Sequence, residues 1–162
     1  MMATRAGSVD PGLLLYLLTH GYLDAGELEQ TLCYDSGLKG ASGIAEDIRA
    51  VVAATRQGDQ RAGMAFDLYS ARIREGIGAM GVAMNGLYGL VFTGGVGEHS
   101  ADVPAAVCRP LGWLGVAMDD QANVRATPDE DVATAGLLVR ILVVQTREEL
   151  MIARETRQLL SS

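Results

Sequence analysis

The chain has 162 residues, 49% of them hydrophobic and 20% charged, so it can build a packed core, which argues against wholesale disorder. A formal net charge of −7 leaves nothing to attract a nucleic-acid backbone or an anionic membrane surface. Lys39 is the only lysine, so the G-x-x-x-x-G-K-[ST] phosphate loop is absent.

The two cysteines, Cys33 and Cys108, form neither a metal spacing nor a disulfide framework, and are expected as reduced core thiols in a cytoplasmic protein. Met1 to Asp10 has no apolar stretch long enough for a signal peptide. The longest apolar runs, Leu13 to Leu18 and Ile141 to Val144, are far too short to span a bilayer.

Asp10 followed by Pro11 reads as the N-cap and first residue of a helix that stops near Gly21. A second helix is expected from Asp24 to about Tyr34. Ser36 to Gly43 reads as a glycine-serine loop, with helical spacing resuming from Ile44 to about Arg56. A long helix follows from about Gln60 to Met84. Its apolar positions Phe66, Tyr69, Ile73, Ile77, Met80 and Met84 recur at three- and four-residue steps, as one buried face requires.

Leu90-Val91-Phe92-Thr93 reads as a short strand buried on both faces, running into Gly94-Gly95-Val96-Gly97-Glu98-His99-Ser100 and a helix from about Ala101. Leu114 to Met118 is a second strand candidate, and Leu137 to Gln145 the strongest strand in the chain. Thr146 and Glu149, three apart, match a capping box at the start of the last helix. The sum is a helix-rich α/β chain, expected as a single domain over 1–162, with two strand-to-helix units late in the sequence.

Two places could hold a phosphorylated ligand. In the loop after Thr93, the glycines let backbone N–H groups approach a ligand, and a helix start beyond favours anions. An ordinary strand-to-helix turn is the plainer reading, and the G-x-G-x-x-S pattern does not match a dinucleotide fingerprint. His99 in that loop is either a ligand contact or a solvated histidine. At the second place, Glu148 stands at the carboxyl end of a strand, where a carboxylate suits Mg²⁺. The plainer reading is a glutamate favoured by the helix dipole. Asp47 and Arg49 follow a Gly/Ser stretch and could be solvated surface charges. Arg5, ahead of the first helix, could clamp phosphate or carboxylate, or simply be exposed. His20, ending a helix, has a C-terminal charge role as its default.

Four stretches together resemble the acetate kinase (acetate/propionate kinase) family. They are Thr4-Arg5-Ala6-Gly7-Ser8-Val9-Asp10-Pro11, then Ser36-Gly37 through Gly43-Ile44-Ala45-Glu46-Asp47-Ile48-Arg49. Phe92 to Ser100 follows, then Thr146-Arg147-Glu148-Glu149-Leu150 with Ile152-Ala153-Arg154-Glu155-Thr156. They occur in family order over essentially the whole chain. The resemblance implies a C-terminal domain of the ribonuclease H-like, actin/sugar-kinase/heat-shock-chaperone type, with its first strands missing. It implies reversible phosphoryl transfer between ATP and acetate, giving ADP and acetyl phosphate, with ATP/ADP and Mg²⁺ as cofactors. Arg5 would be the catalytic arginine. Asp47, Ile48 and Arg49, with Gly95, Val96 and His99, would line the adenosine site, and Glu148 would help hold Mg²⁺.

This sequence departs from the family pattern at Ala6-Gly7-Ser8, at Arg147 where Asn is common, and at His99 where Asn is frequent. The family's upstream aspartate, Mg²⁺-associated asparagine, second substrate arginine and His-Leu-Gly-Asn-Gly loop are not in this sequence. The expectation is therefore an incomplete portion of such an enzyme, from a truncated gene, a split gene or an excised piece. Its implied partners are an adenine nucleotide, acetate or another short carboxylate in the complete enzyme, a second copy in a homodimer, and a separately encoded N-terminal half. An uncovered strand edge is expected beside Leu90–Thr93 or Leu137–Gln145. The competing reading is a non-catalytic nucleotide-binding or dimerisation module.

Overall fold

The computed structural model describes residues 1–161. The chain divides into two compact units, the first from Met1 to Gly86 and the second from Leu87 onward.

The first unit is helical. Helix α1 (Pro11–Thr19) starts as the sequence predicts: Asp10 Oδ1 accepts from the N–H groups of Gly12 and Leu13, and Pro11 occupies the first turn, where no N–H is needed. Helix α2 (Ala25–Tyr34) carries a reciprocal capping box between Asp24 and Glu27, each bond 2.8 Å. The expected loop at Ser36 to Gly43 is instead a short helix, α3 (Gly37–Ser42), closed by Gly43 at φ 68°. Two glycines within that segment masked it in the sequence. What sustains it is distant in the chain: the Arg61 guanidinium donates to the carbonyls of Gly40 (2.8 Å) and Ala41 (2.9 Å), which the short helix cannot satisfy itself.

Helix α4 (Ile48–Arg56) begins four residues later than its apolar spacing suggests, because Asp47 accepts from Arg49 N–H and fixes the N-cap there. Helix α5 (Gln60–Ala83) packs against α3 and α4. Its buried side is not the predicted stripe. Ala62, Ala65 and Ser70 are fully enclosed, Phe66, Tyr69, Ile73 and Ile77 are half-buried, and Met80 and Met84 are exposed. Small residues let the helix axes approach closely, so the larger side chains are displaced to the flanks. Leu38, Ile48, Val51 and Val52 complete this core.

The second unit is α/β. Strand β1 (Gly89–Phe92), helix α6 (Gly94–His99), helix α7 (Asp102–Cys108), a 3₁₀ turn (Arg109–Leu114), helix α8 (Asp120–Arg125), strands β2 (Glu130–Asp131) and β3 (Arg140–Val143) and helix α9 (Glu148–Leu160) follow in order. The sheet order is β1-β3-β2. Strands β1 and β3 run parallel with Leu90 opposite Ile141, and β2 pairs antiparallel to β3. The two expected strand-to-helix units are therefore neighbours in one sheet.

Strand β1 is not buried on both faces. It alternates between exposed and half-buried residues, with Val91 57% exposed, because it lies at the edge of the three strands. The central strand β3 carries the core residues Ile141 and Val143, and it is shorter than the expected Leu137–Gln145 because Leu138 and Val139 bend the chain before it and Val144 and Gln145 already belong to the connection to α9. Leu114 to Met118 is not a strand. Pro110 and Gly112 tighten the chain into a 3₁₀ turn, Gly115 closes it at φ 79°, and only Met118 makes a bridge, to Ala133. Val116 is still buried, along with Val103, Val107, Cys108, Leu111 and Val132. Burial pushes the Cys108 thiol up to about 12, and Cys33 is half-buried; both are free. No helix among the described residues is long and apolar enough to cross a membrane.

Candidate functional site

In the second unit, β1 and β3 end side by side, and the loops after them meet. They line a cleft of about 440 Å³ formed by Gly94, Gly95, Glu98 and the run Gln145 to Leu150. Open α/β sheets place ligands at this end of their parallel strands. The first loop turns sharply. Gly94 takes φ 74°, a conformation that costs residues with a Cβ, and this starts α6 immediately after the strand. Gly97 is buried against the end of β1. A Cβ there would lie 2.9 Å from the Phe92 carbonyl carbon, so only glycine lets α6 fold back this tightly.

Glu98, which sequence reasoning passed over, joins the loops. Its Oε1 accepts from Gly94 N–H (2.8 Å), Thr146 N–H (2.7 Å) and the Thr146 hydroxyl (2.5 Å). Thr146 Oγ1 also accepts from Gly94 N–H at 2.8 Å. Having given its single proton to Glu98, Thr146 receives the Thr93 hydroxyl at 3.0 Å. These bonds, led by those from Thr146, hold the Glu98 carboxyl below its usual range. The predicted capping box does not form. Thr146 is committed to Glu98, and Arg147 occupies the N-cap of α9 without a side-chain cap bond. The Glu98–Thr146 pairing spans 48 positions and leaves no local sequence signal.

Glu148 lies exposed at the first turn of α9, beside Glu149, and both line the cleft. Arg147 also lines it, but its guanidinium is paired with Asp129. That pair depresses the Asp129 carboxyl. Gly95 is exposed with open space where a Cβ would point, Val96 is half-buried, and exposed His99 places Nδ1 3.2 Å from the Gly95 carbonyl. The structure thus brings Gly95 and Glu148 onto one cleft, with Val96 and His99 on the helix beside it.

The other predicted residues belong to the first unit. Asp47 and Arg49 pair with each other, Arg49 Nη2 to Asp47 Oδ2 at 2.7 Å, which lowers the Asp47 carboxyl and raises the guanidinium. The Ile48 side chain is in the core. Arg5 is exposed on a segment clamped by main-chain bonds: Ser36 N–H to Thr4 O (2.9 Å), Ala6 N–H to Leu32 O (2.8 Å) and Leu38 N–H to Met2 O (2.9 Å). The Thr4 hydroxyl donates to Cys33 O at 2.8 Å. This fixes the backbone beneath an exposed Arg5. His20 stands at the C-cap of α1, its Nδ1 3.0 Å from the Tyr16 carbonyl.

The Acetokinase family model matches residues 1–154. The chain belongs to the acetate kinase family. An acetate kinase of Nostoc punctiforme is 47% identical over 162 residues, all of this chain and 40% of that protein. One from Gloeobacter violaceus is 47% identical over 158 residues, 98% of this chain and 39% of that protein. Among solved structures, the acetate kinase of Porphyromonas gingivalis superposes with a TM-score of 0.86 at 36% identity, over 99% of this chain and 40% of that one. A propionate kinase from Francisella tularensis gives 0.85 at 32% identity, over 95% and 39%. The chain thus spans about 40% of the length of these curated family members.

Proposed function

We propose that this chain supplies the nucleotide-side and metal-side residues of an acetate kinase, which transfers a phosphoryl group reversibly between ATP and acetate to give ADP and acetyl phosphate. The observation that carries this is the cleft at the ends of β1 and β3, where a glycine loop and Glu148 share one wall. Family membership supports the same reading. It also favours the actin/sugar-kinase type of fold for the α/β unit.

The cleft is acidic, and a divalent cation would offset its charge. Glu148 and Glu149 line it, Glu98 is occupied by Gly94 and Thr146, and Arg147 is already neutralised by Asp129; among the described residues no three acidic or histidine side chains gather as a complete ligand set, so phosphate oxygens and water would complete the shell. Phosphates enter such a wall only with their charge offset. Mg²⁺ commonly rests on one or two carboxylates plus phosphate oxygens and water, so Glu148, with Glu149 beside it, is a fitting donor. When bound, the ion would offset charge on the transferring phosphoryl group. Gly95, exposed and without a side chain in the first turn of α6, and Val96 next to it offer main chain to a nucleoside, and His99 a ring and a hydrogen-bonding edge beside it. Family resemblance supports Asp47, Ile48 and Arg49 as adenosine contacts, with Ile48 contributing main chain. Arg5 steadies the transferring group through its planar fork. Acetate or another short carboxylate is the acceptor. The assembly is a homodimer in the cytoplasm.

Calorimetric titration with Mg²⁺ADP tests the nucleotide assignment. Gly95→Val faces open space and should fold normally, yet abolish or greatly weaken binding. Asp47→Asn keeps an N-cap oxygen but loses the pair with Arg49, and should weaken binding less. If both variants bind ADP as the parent does, the assignment is wrong.

A further inference from the structure

The structure assigns Glu98 a positioning role: its carboxylate latches the start of α6 (Gly94–His99) to the end of β3 and so fixes the Gly95–Val96 backbone in the place where a nucleotide meets it. This rests on the nucleotide reading above.

Two strands end side by side, and each loop leaves an N–H unpaired at its start, Gly94 on one and Thr146 on the other. A single carboxylate oxygen accepts from both, and from the Thr146 hydroxyl as well. A neutral carboxyl would carry a proton of its own and be a poor acceptor for three donors, so the latch needs the charged form. The Gly94 N–H is consumed by this arrangement and by Thr146 Oγ1, and is therefore not a phosphate donor. The loop's contribution to a ligand falls to the residues after Gly94. Gly95 is exposed and a Cβ would meet nothing, and the bonds these residues make are local to α6, Ser100 N–H to the Val96 carbonyl at 3.1 Å and the His99 ring to the Gly95 carbonyl at 3.2 Å, so they move with it. Their order depends on what pins the loop at either side, namely the packing of Gly97 on Phe92 and the Glu98 latch. Thr146 has a second place in the design. It is two residues from Glu148, so the same bonds that hold the glycine loop also set the start of α9 where Glu148 stands.

The test uses the full chain, first without nucleotide. Amide hydrogen exchange is read residue by residue in Glu98→Ala, Glu98→Gln, Thr146→Val and Thr146→Ser, with melting temperature followed in parallel. A purely local contact would release only Gly94 and Thr146. The latch predicts that Glu98→Ala also loses protection at Ser100, whose N–H donates to the Val96 carbonyl at 3.1 Å, while Val107 and Ile141 keep theirs. Glu98→Gln, which retains the acceptor but not the charge, should fall between. Thr146→Val, which keeps both amide bonds to Glu98 and loses only those of the hydroxyl, should fall between the parent and Glu98→Ala, and Thr146→Ser should restore the parent pattern. With Mg²⁺ADP added, the Kd should rise roughly tenfold in Glu98→Ala and return in Thr146→Ser. Parent-like exchange at Ser100 in Glu98→Ala overturns the latch, as does a Thr146→Ser protein that behaves like Thr146→Val. Unchanged ADP affinity in the face of a loosened loop overturns its positioning role. Should Glu98→Ala not fold, Glu98→Gln and Thr146→Val carry the same comparison. If the parent chain binds no ADP, the nucleotide reading fails, while the latch is still decided by exchange in the nucleotide-free protein.

Discussion

The two units solve the burial problem in opposite ways. The first packs helices against one another and encloses small side chains, Ala62, Ala65 and Ser70, along α5. The second buries branched aliphatics, Val107, Val116, Val132, Ile141 and Val143, around a three-stranded sheet. Stability in the first therefore depends on close approach and satisfied polar groups. In the second it depends on the volume of a few central side chains. The candidate residues follow the same division. Asp47 and Arg49 are held by a pairing two positions apart, whereas Gly94 and Thr146 are held through Glu98 by contacts across 48 positions or more in the case of Thr146.

The largest expected effect falls on the second unit. Ile141 is fully buried on the central strand. Ile141→Ala should cost about 3 kcal/mol, the transfer term plus a cavity the sheet cannot close. Exchange protection should fall chiefly at Val132 and Val143, and much less at Val51 and Ala65 of the first unit. Equal losses in both would erase the distinction between them. Val91→Ala, on the exposed edge strand, is the paired control and should change little.

Next in size is Gly97→Ala. The added methyl would crowd the Phe92 main chain at 2.9 Å, which backbone cannot yield cheaply. A loss of about 2 kcal/mol is expected from this overpacking, read by chemical denaturation. Gly95→Ala, two residues away in open space, should cost far less, and a reversed order would show that α6 is not seated on β1 as described.

A smaller effect comes with pH. The bonds from Thr146, then Gly94, hold the Glu98 carboxyl below its ordinary value of 4.5. A depressed carboxylate gives stability that is fully present above that value and is lost as pH falls through the lower folded value. Protection of the Gly94 and Thr146 amides should thus be constant near neutrality and decline only below about 4.5, whereas in Glu98→Gln the decline at these two amides should be absent. A decline that persists in Glu98→Gln would mean that another group controls the loop.

How much of this was legible in the sequence depends on how far apart the partners are. The starts of α1 and α2 were readable because Asp10 and Asp24 cap within three residues. The long helix α5 was readable as a helix, but not its buried face, since periodicity ranks large apolar residues and the neighbours selected small ones. Helix α3 was hidden because its support, Arg61, is about 20 positions away. Leu114 to Met118 was misread because a short buried apolar run has no period of its own, and Pro110 with Gly112 bent it into a 3₁₀ turn. At the candidate site, Gly95 and Glu148 were visible as motif residues. Glu98 and Thr146, which hold them in place, were not, because a carboxylate meeting another loop's amides writes nothing local.

The smallest effect tests the first unit's dependence on satisfied polar groups, and it has opposite signs at two serines. Ser42 and Ser70 are both almost fully buried. Ser42 Oγ accepts from Ile44 N–H at 3.2 Å and reaches the Ala45 carbonyl at 3.3 Å, so it closes the turn after α3. Ser70 Oγ has no hydrogen-bond partner among the described residues. A helical hydroxyl usually escapes that cost by turning back to the carbonyl four residues earlier, as Thr55 does to Val51 at 2.8 Å. Ser70 carries the desolvation penalty without the bond. Ser70→Ala removes the hydroxyl at almost constant volume and adds helix propensity, so it should stabilise the chain by about 1 kcal/mol. Ser42→Ala strands an amide and should destabilise by a similar amount. Denaturation midpoints of the two variants, measured side by side, should move in opposite directions. If both fall, Ser70 has a partner in solution, and the small side chains of α5 are selected for polarity as well as for size.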